Sequence, residues 1–307
     1  MNAMRLCSDR ADRLAWCLVA LIATFCFPLV VPVECRSQNT ESPGEAKPAT
    51  SGYSQAGVLR DSAERTRAYR LLDDASEAFK SFRYDSVISN CTEAVSLDGE
   101  LVDGLYLRAL AYVEKGLHEK AIEDCTRAIK TYPKRAIGYS HRGFAQLRWG
   151  HYSAAIDDYS LAIGLCNSDG KAYCGRGHAY YCDGQFDKAL ADFQQALKLN
   201  QDDVNAIICM ANVYSCCPKM QLRNAEKSIE FATKAWALKG GRDYDVVSAL
   251  ACAYAEAGQF ENALKYADAA LKLASNMSEF TLIQRKRELF KEGAAYRDPS
   301  KSEGDVP

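Results

Sequence analysis

The sequence has no excess of charge of one sign: 38 Lys and Arg stand against 40 Asp and Glu, a net charge of −2 over 307 residues. No overall positive field gathers a polyanion, so no nucleic-acid partner is expected. Thirteen cysteines, about 4% of the chain, fall below the density of disulfide scaffolds. None forms a C-x-x-C pair, which excludes a zinc ribbon and a thioredoxin-type site. A Gly-rich phosphate loop, H-E-x-x-H and G-x-S-x-G are all missing. The four His are scattered, with His118 and His151 beside no nucleophile. These absences lead us to expect no enzyme activity and no cofactor. What is present, 48% hydrophobic, 25% charged and 10% aromatic residues, excludes bulk disorder and can bury more than one small core.

Leu14 to Val33 carries no formal charge and follows Arg5, Arg10 and Arg13. Such a stretch reads as a signal for export, within residues 1–36, and is either a cleaved signal peptide or an N-terminal membrane anchor. Twenty uncharged residues can span a bilayer as a helix, but Pro28 and Pro32 weaken the far end. Cleavage before Arg36 would follow Val33-Glu34-Cys35, and Cys35 lacks the Leu and small residues of a lipobox. The expected location is extracytoplasmic, released into the periplasm or tethered to the membrane through residues 14–33. From Ser37 to about Gly57 the residues are mostly small and polar, and a flexible linker over 37–60 is expected.

Self-similarity decides the fold. Segments Val102–Arg135, Ala136–Asp169 and Gly170–Asp203 superimpose at steps of 34 residues. Numbering the places of this unit from 1, small residues recur at places 8, 20 and 27: Ala109, Ala121 and Ala128; Gly143, Ala155 and Ala162; Gly177, Ala189 and Ala196. Gly116, Gly150 and Gly184 stand at place 15. Small side chains at these places let two antiparallel helices approach closely, and the Gly supplies the turn between them. Further copies lie at 68–101, 204–243 and 244–277, the fifth with extra residues at Cys216–Asn224. Across six copies 16 of 18 small-residue slots are Gly or Ala, Val87 and Ser228 being the exceptions. Usual Gly and Ala abundance would fill about three.

The period, the small slots, Tyr112, Tyr180, Tyr214 and Tyr254 at place 11, and Pro133 at place 32 resemble the tetratricopeptide repeat. The stretch from Asn212 through "CCPKMQLRNAEKSIEFATKA" to "RKRELFKEGAAYRD" is also similar to the C-terminal half of exported bacterial proteins of this class. The resemblance implies an all-α fold, a right-handed α-solenoid of helix-turn-helix units over 61–277. Residues 278–293, with Phe280, Leu282, Ile283, Leu289 and Phe290 among Arg285, Lys286, Arg287 and Glu288, read as a helix capping the stack. Residues 294–307 are expected to be a disordered tail.

In the second, third and fourth copies Arg occupies place 7 and Asp place 23: Arg108 and Asp124, Arg142 and Asp158, Arg176 and Asp192. Where one is missing so is the other, as in Met210 and Phe231 or Leu250 and Tyr266. Structural ion pairs follow from this pattern; a ladder of guanidinium groups for an acidic ligand is the alternative. The resemblance also implies a concave surface lined by the first helices, with ligand-facing places 2, 5, 9, 12 and 13. Its middle is apolar and aromatic, with Tyr106, Leu110, Phe144, Leu147, His178 and Tyr181 as candidate residues of a peptide-binding groove. The Lys and Asn pattern of a carboxylate clamp is absent, with Leu72 and Ser76, or Tyr106 and Leu110, in its first two places.

Cys174, His178 and Cys182 are spaced four apart on one expected helix face. Three such side chains spread along about 12 Å of helix axis and cannot share one ion, so they are kept only as weak candidates for a metal site and none is assigned. The expectation from the sequence is a scaffold that takes a protein or peptide ligand in its groove, of unspecified identity and oligomeric state. The alternatives are an assembly component that uses its convex or end surfaces, and a metal- or redox-responsive binder through the Cys and His residues.

Overall fold

The computed structural model describes residues 55–298, with side chains from residue 63 onward. The expected leader at 14–33, most of the linker at 37–60 and residues 299–307 of the tail lie outside the described residues. The described chain holds thirteen α-helices and one 3-10 turn, with no strand among the described residues. In order they are α1 (Gln55–Lys80), α2 (Tyr84–Leu97), α3 (Val102–Glu114), α4 (His118–Thr131), α5 (Ala136–Trp149), α6 (Tyr152–Leu165), α7 (Gly170–Cys182), α8 (Phe186–Leu199), α9 (Val204–Cys216), α10 (Ala225–Lys239), α11 (Tyr244–Glu256), α12 (Phe260–Leu273) and α13 (Met277–Lys291). The 3-10 turn, Met220–Leu222, lies between α9 and α10.

Local chemistry sets these boundaries. Gly116, Gly150, Gly184 and Gly258 have φ of 73°, 89°, 81° and 72°, the left-handed region where a side chain is strained, and each ends a first helix. In the first repeat the same place holds Phe82 at φ 57°. At the start of α7, α9 and α11 stand Asp169, Asp203 and Asp243, whose carboxylates accept from the backbone N–H groups of the first helical turn. Each such cap stabilises its helix by about 1 kcal/mol. The place-8 glycine of α7 shows why small residues recur: a Cβ on Gly177 would lie 2.7 Å from Phe193 Cε1 and 3.3 Å from the Ala189 carbonyl.

The described residues fall into two bodies, one of 55–149 with 160–168, the other of 150–159 with 169–298. In the first, each of α1 to α5 packs on the next, and the first helices also meet one another, α1 on α3 and α3 on α5. Its core includes Val87, Cys91, Leu107 and Ala111 in one cluster and Leu105, Tyr106 and Ala128 in another. In the second body α7 to α13 pack in the same serial way, with α7 on α9, α9 on α11 and α11 on α13. Nearest-neighbour packing of this kind gives each helix pair a buried face only through its neighbours.

Two boundary expectations change. Helix α1 begins at Gln55, inside the stretch expected to be linker. The expected disordered tail is packed as far as Asp298: Tyr296 and Asp298 are buried, and both are held by groups far away in sequence. The local run Ala294-Ala295-Tyr296 is too short to show any periodicity, so composition alone hid this segment. α13, expected over 278–293, spans Met277–Lys291 and ends at Gly293 with φ 72°. Its Lys286, the middle one of three consecutive basic residues, is buried and donates to Ser248 Oγ at 3.1 Å.

Candidate peptide-binding wall

In the first body the candidate groove residues on α3 and α5 are Tyr106, Leu110, Phe144 and Leu147. All four are buried. Tyr106 stacks on His141 with ring centroids 4.9 Å apart, and His141 Nδ1 is 2.8 Å from the Ile137 carbonyl. Arg148, also buried, lies 5.7 Å over the Phe144 ring and pairs with Glu114 at 3.5 Å. Burial pushes the Glu114 carboxyl above its ordinary pKa, against the opposing pull of Arg148.

In the second body, His178 and Tyr181 on α7 are buried as well. His178 Nε2 lies 2.6 Å from Cys209 Sγ and its ring meets Phe193 edge-on at 5.6 Å. Burial lowers its pKa to about 4, so the ring is neutral at pH 7. Tyr181 donates its hydroxyl to Asp298 and packs edge-on against Phe186 at 5.1 Å. None of the six groove candidates therefore offers an open surface as the chain stands.

What covers Tyr181 is the chain's own C-terminal segment, Ala294–Asp298. Its Asp298 N–H donates to the Cys216 carbonyl at 3.0 Å, and Arg297 Nη1 donates to the Ser215 carbonyl at 3.0 Å. Arg297 Nη2 also pairs with Glu256 at 2.7 Å, and Arg223 holds the other oxygen of that carboxylate at 3.2 Å. Tyr296 fills a cluster with Cys216, Cys252, Ile283 and Phe290. Ser215, Cys216 and Glu256 occupy places 12, 13 and 13 of their repeats, and Tyr181 place 12, which are the ligand-facing places that the repeat resemblance implies.

The floor beneath Tyr296 is charged. Lys286 Nζ sits 5.1 Å over the Tyr296 ring. Cys216 and Cys252 form a buried thiol pair beside it: the hydrogen bond from Cys216 and the Lys286 charge lower Cys252, and the same contact with burial raises Cys216. Burial raises Asp298 to about 7, although the Tyr181 hydroxyl and Lys286 pull it down.

The Arg and Asp pattern is explained locally. Arg108 meets Asp124 through two parallel bonds of 2.8 and 2.7 Å, and Arg176 meets Asp192 through two of 2.8 and 2.9 Å. Arg108 Nη1 also reaches Thr92 Oγ1 at 2.9 Å, and Arg142 Nη1 reaches Thr126 Oγ1 at 3.4 Å. Both Thr stand at place 25 of the preceding repeat, so the guanidinium links neighbouring repeats. Asp158, the expected partner of Arg142, is buried. Cys174, His178 and Cys182 do not converge: among the described residues no three His, Cys, Asp or Glu side chains are placed to hold a metal ion. The residues that reading the sequence overlooked are Arg223, Glu256, Arg297 and Asp298. The one local signal for the segment was an aromatic residue following two Ala after the helix-ending Gly293.

Three 34-residue stretches, 102–135, 170–203 and 244–277, match family models described as tetratricopeptide repeat. No curated protein matches the sequence. Among solved structures, the chain is similar to the APC/C hetero-tetramer Cut9–Hcn1 with a TM-score of 0.60 at 16% identity, covering 74% of this chain and 45% of that one. It is also similar to a tetratricopeptide repeat protein from Parabacteroides merdae, with a TM-score of 0.54 at 16% identity, covering 74% and 88%. At such identities the likeness shows the fold, an all-α solenoid of helical hairpins. The 34-residue period, the left-handed turn glycines and these matches together show that the chain carries tetratricopeptide repeats within an all-α solenoid.

Proposed function

We propose that this protein is a binding scaffold whose first helices hold an extended polypeptide, and that it acts by binding and not by catalysis. Proteins of this fold typically mediate protein–protein interactions, which makes a polypeptide the expected ligand. One observation carries the choice of surface: ligand-facing places 12 and 13 of α7, α9 and α11 already accommodate a non-helical stretch of chain, Ala294–Asp298, through backbone and side-chain bonds together. Main-chain bonds supply affinity and side-chain pockets supply selectivity in such modes. The uncharged run Leu14–Val33 supports an exported location, either released or tethered.

Selection of linear peptides from a random library tests this reading. The full chain should enrich a consensus that a Tyr181→Ala, Glu256→Gln variant fails to retain. Enrichment indifferent to these two changes, together with concentration-dependent self-association, would favour the assembly reading instead.

A further inference from the structure

The six turns between paired helices are not equivalent, and the difference creates a site. In the fourth repeat the turn closes α7 on itself: Gly184 N–H bonds the Tyr181 carbonyl at 3.0 Å and Gln185 N–H the Tyr180 carbonyl at 2.8 Å. The sixth repeat does the same, with Gly258 on Ala255 and Gln259 on Tyr254. Those carbonyls are the orphans that every helix C-terminus leaves, and a short turn satisfies them. In the fifth repeat Pro218 and the residues after it lead the chain away. Asn224 N–H still reaches the Tyr214 carbonyl, at 2.9 Å, but Ser215 and Cys216 take their partners from Arg297 and Asp298. The insertion thus leaves the place-12 carbonyl of Ser215, which the short turns satisfy at the equivalent Tyr181 and Ala255, open at an electronegative helix end beside the carbonyl of Cys216, and a second strand of chain meets both.

Resting on the groove reading above, we propose that Tyr296-Arg297-Asp298 is a tethered ligand of this site. The external ligand it stands in for is an extended peptide in which an aromatic residue is followed by Arg and Asp. Each residue of that triplet has its own recognition element. The aromatic ring enters the cluster of Cys216, Cys252, Ile283 and Phe290. The guanidinium meets Glu256, which Arg223 of the insertion holds in place, and the Ser215 carbonyl. The acid meets the Tyr181 hydroxyl while its N–H takes the Cys216 carbonyl. Acidic Glu256 and the two carbonyls exclude an acidic residue from the middle position. A ligand competes with the strap, so apparent affinity is reduced by the fraction of chains whose strap is seated.

The experiment uses a fluorescein-labelled peptide of sequence Gly-Ala-Ala-Tyr-Arg-Asp and the full chain carrying Arg297→Ala and Asp298→Ala. The variant should bind the peptide at least about 10-fold more tightly than the wild-type chain, since it has lost its internal competitor. Adding Glu256→Gln to that variant should weaken binding again, and a peptide with Glu in place of Arg should not bind. If the double variant is not folded by circular dichroism, the wild-type chain in a large excess of peptide gives the answer: hydrogen exchange at the Asp298 amide, which bonds the Cys216 carbonyl, should speed up as the strap is displaced. A folded variant that ignores the peptide, or a wild-type strap whose exchange is unmoved, overturns the proposal. The library selection, run on the same variant, separates the two claims. Consensus peptides lacking the aromatic-Arg-Asp order would keep the groove reading and sink this one, whereas no consensus at all would sink both.

Discussion

In the fourth repeat three residues, Asp183 to Gln185, join α7 to α8; in the fifth, eight residues, Cys217 to Asn224, join α9 to α10. The same two repeats differ at places 7 and 23. The fourth has the forked Arg176–Asp192 pair, while the fifth has Met210 and Phe231 in one apolar cluster. One repeat is closed, tight and ionically registered. Its neighbour is apolar between its helices and open at its C-terminal end, where the rest of the chain supplies what the turn does not. The comparison teaches that a repeat becomes a site when its turn ceases to satisfy its own helix, while the pairing of its two helices is kept.

The comparison can be broken most strongly at its tightest contact. Gly177→Val in the fourth repeat forces a side chain into the space of Phe193 and should cost about 2–3 kcal/mol, read as a large fall in Tm. Ala211→Gly at the same place of the fifth repeat should cost only about 1 kcal/mol, through helix propensity. The ion pair comes next. Asp192→Ala strands a part-buried guanidinium and should cost about 2 kcal/mol after allowance for its partial exposure, measured by urea unfolding. The double exchange Arg176→Met, Asp192→Phe, which imitates the fifth repeat, should recover most of that loss. Smaller still is the cap: Asp203→Ala, at the start of α9, should cost about 1 kcal/mol by the same assay.

The smallest effect on global stability, though a clear local one, concerns the strap and pH. Burial raises Asp298 from the ordinary 3.8 to about 7, so the seated strap holds a proton that the released strap does not. A raised carboxyl stabilises the seated state fully below pH 4, and that contribution falls as pH rises toward 7. The groups facing it are Tyr181, Tyr296, Lys286, Cys216, Cys217 and Cys252. Protection of the Asp298 amide, corrected for intrinsic exchange, should be higher at pH 5 than at pH 8. Equal protection at both would contradict the assignment.

Much of the hairpin architecture was legible because it is written at short range. The spacing of Ala109, Gly116 and Ala121 needs only one repeat to be understood, and Gly184 announces its turn by itself. The pairing of Arg108 with Asp124 could be read because both were exchanged together in other copies. Other features depend on contacts that sequence spacing does not carry. Arg297 meets Ser215 across 82 residues and Asp298 meets Tyr181 across 117. Nor does a place in the repeat say whether a ring is open: Tyr106 stands where a ligand could touch it, yet it stacks on His141. Glu256, last residue of α11, looks like an ordinary solvated acid until the insertion brings Arg223 against it.

The most direct measurement exchanges the turns. Replacing Cys217–Asn224 with the three residues Asp-Gly-Gln that close the fourth repeat gives the Ser215 carbonyl a partner within the turn in place of Arg297 and removes Arg223 from Glu256. Hydrogen exchange in this chain should show the Asp298 amide unprotected while α11 and α13 keep their protection. Protection of that amide at the wild-type level, with the helices intact, would mean that the strap is seated by something other than the open end of the fifth repeat.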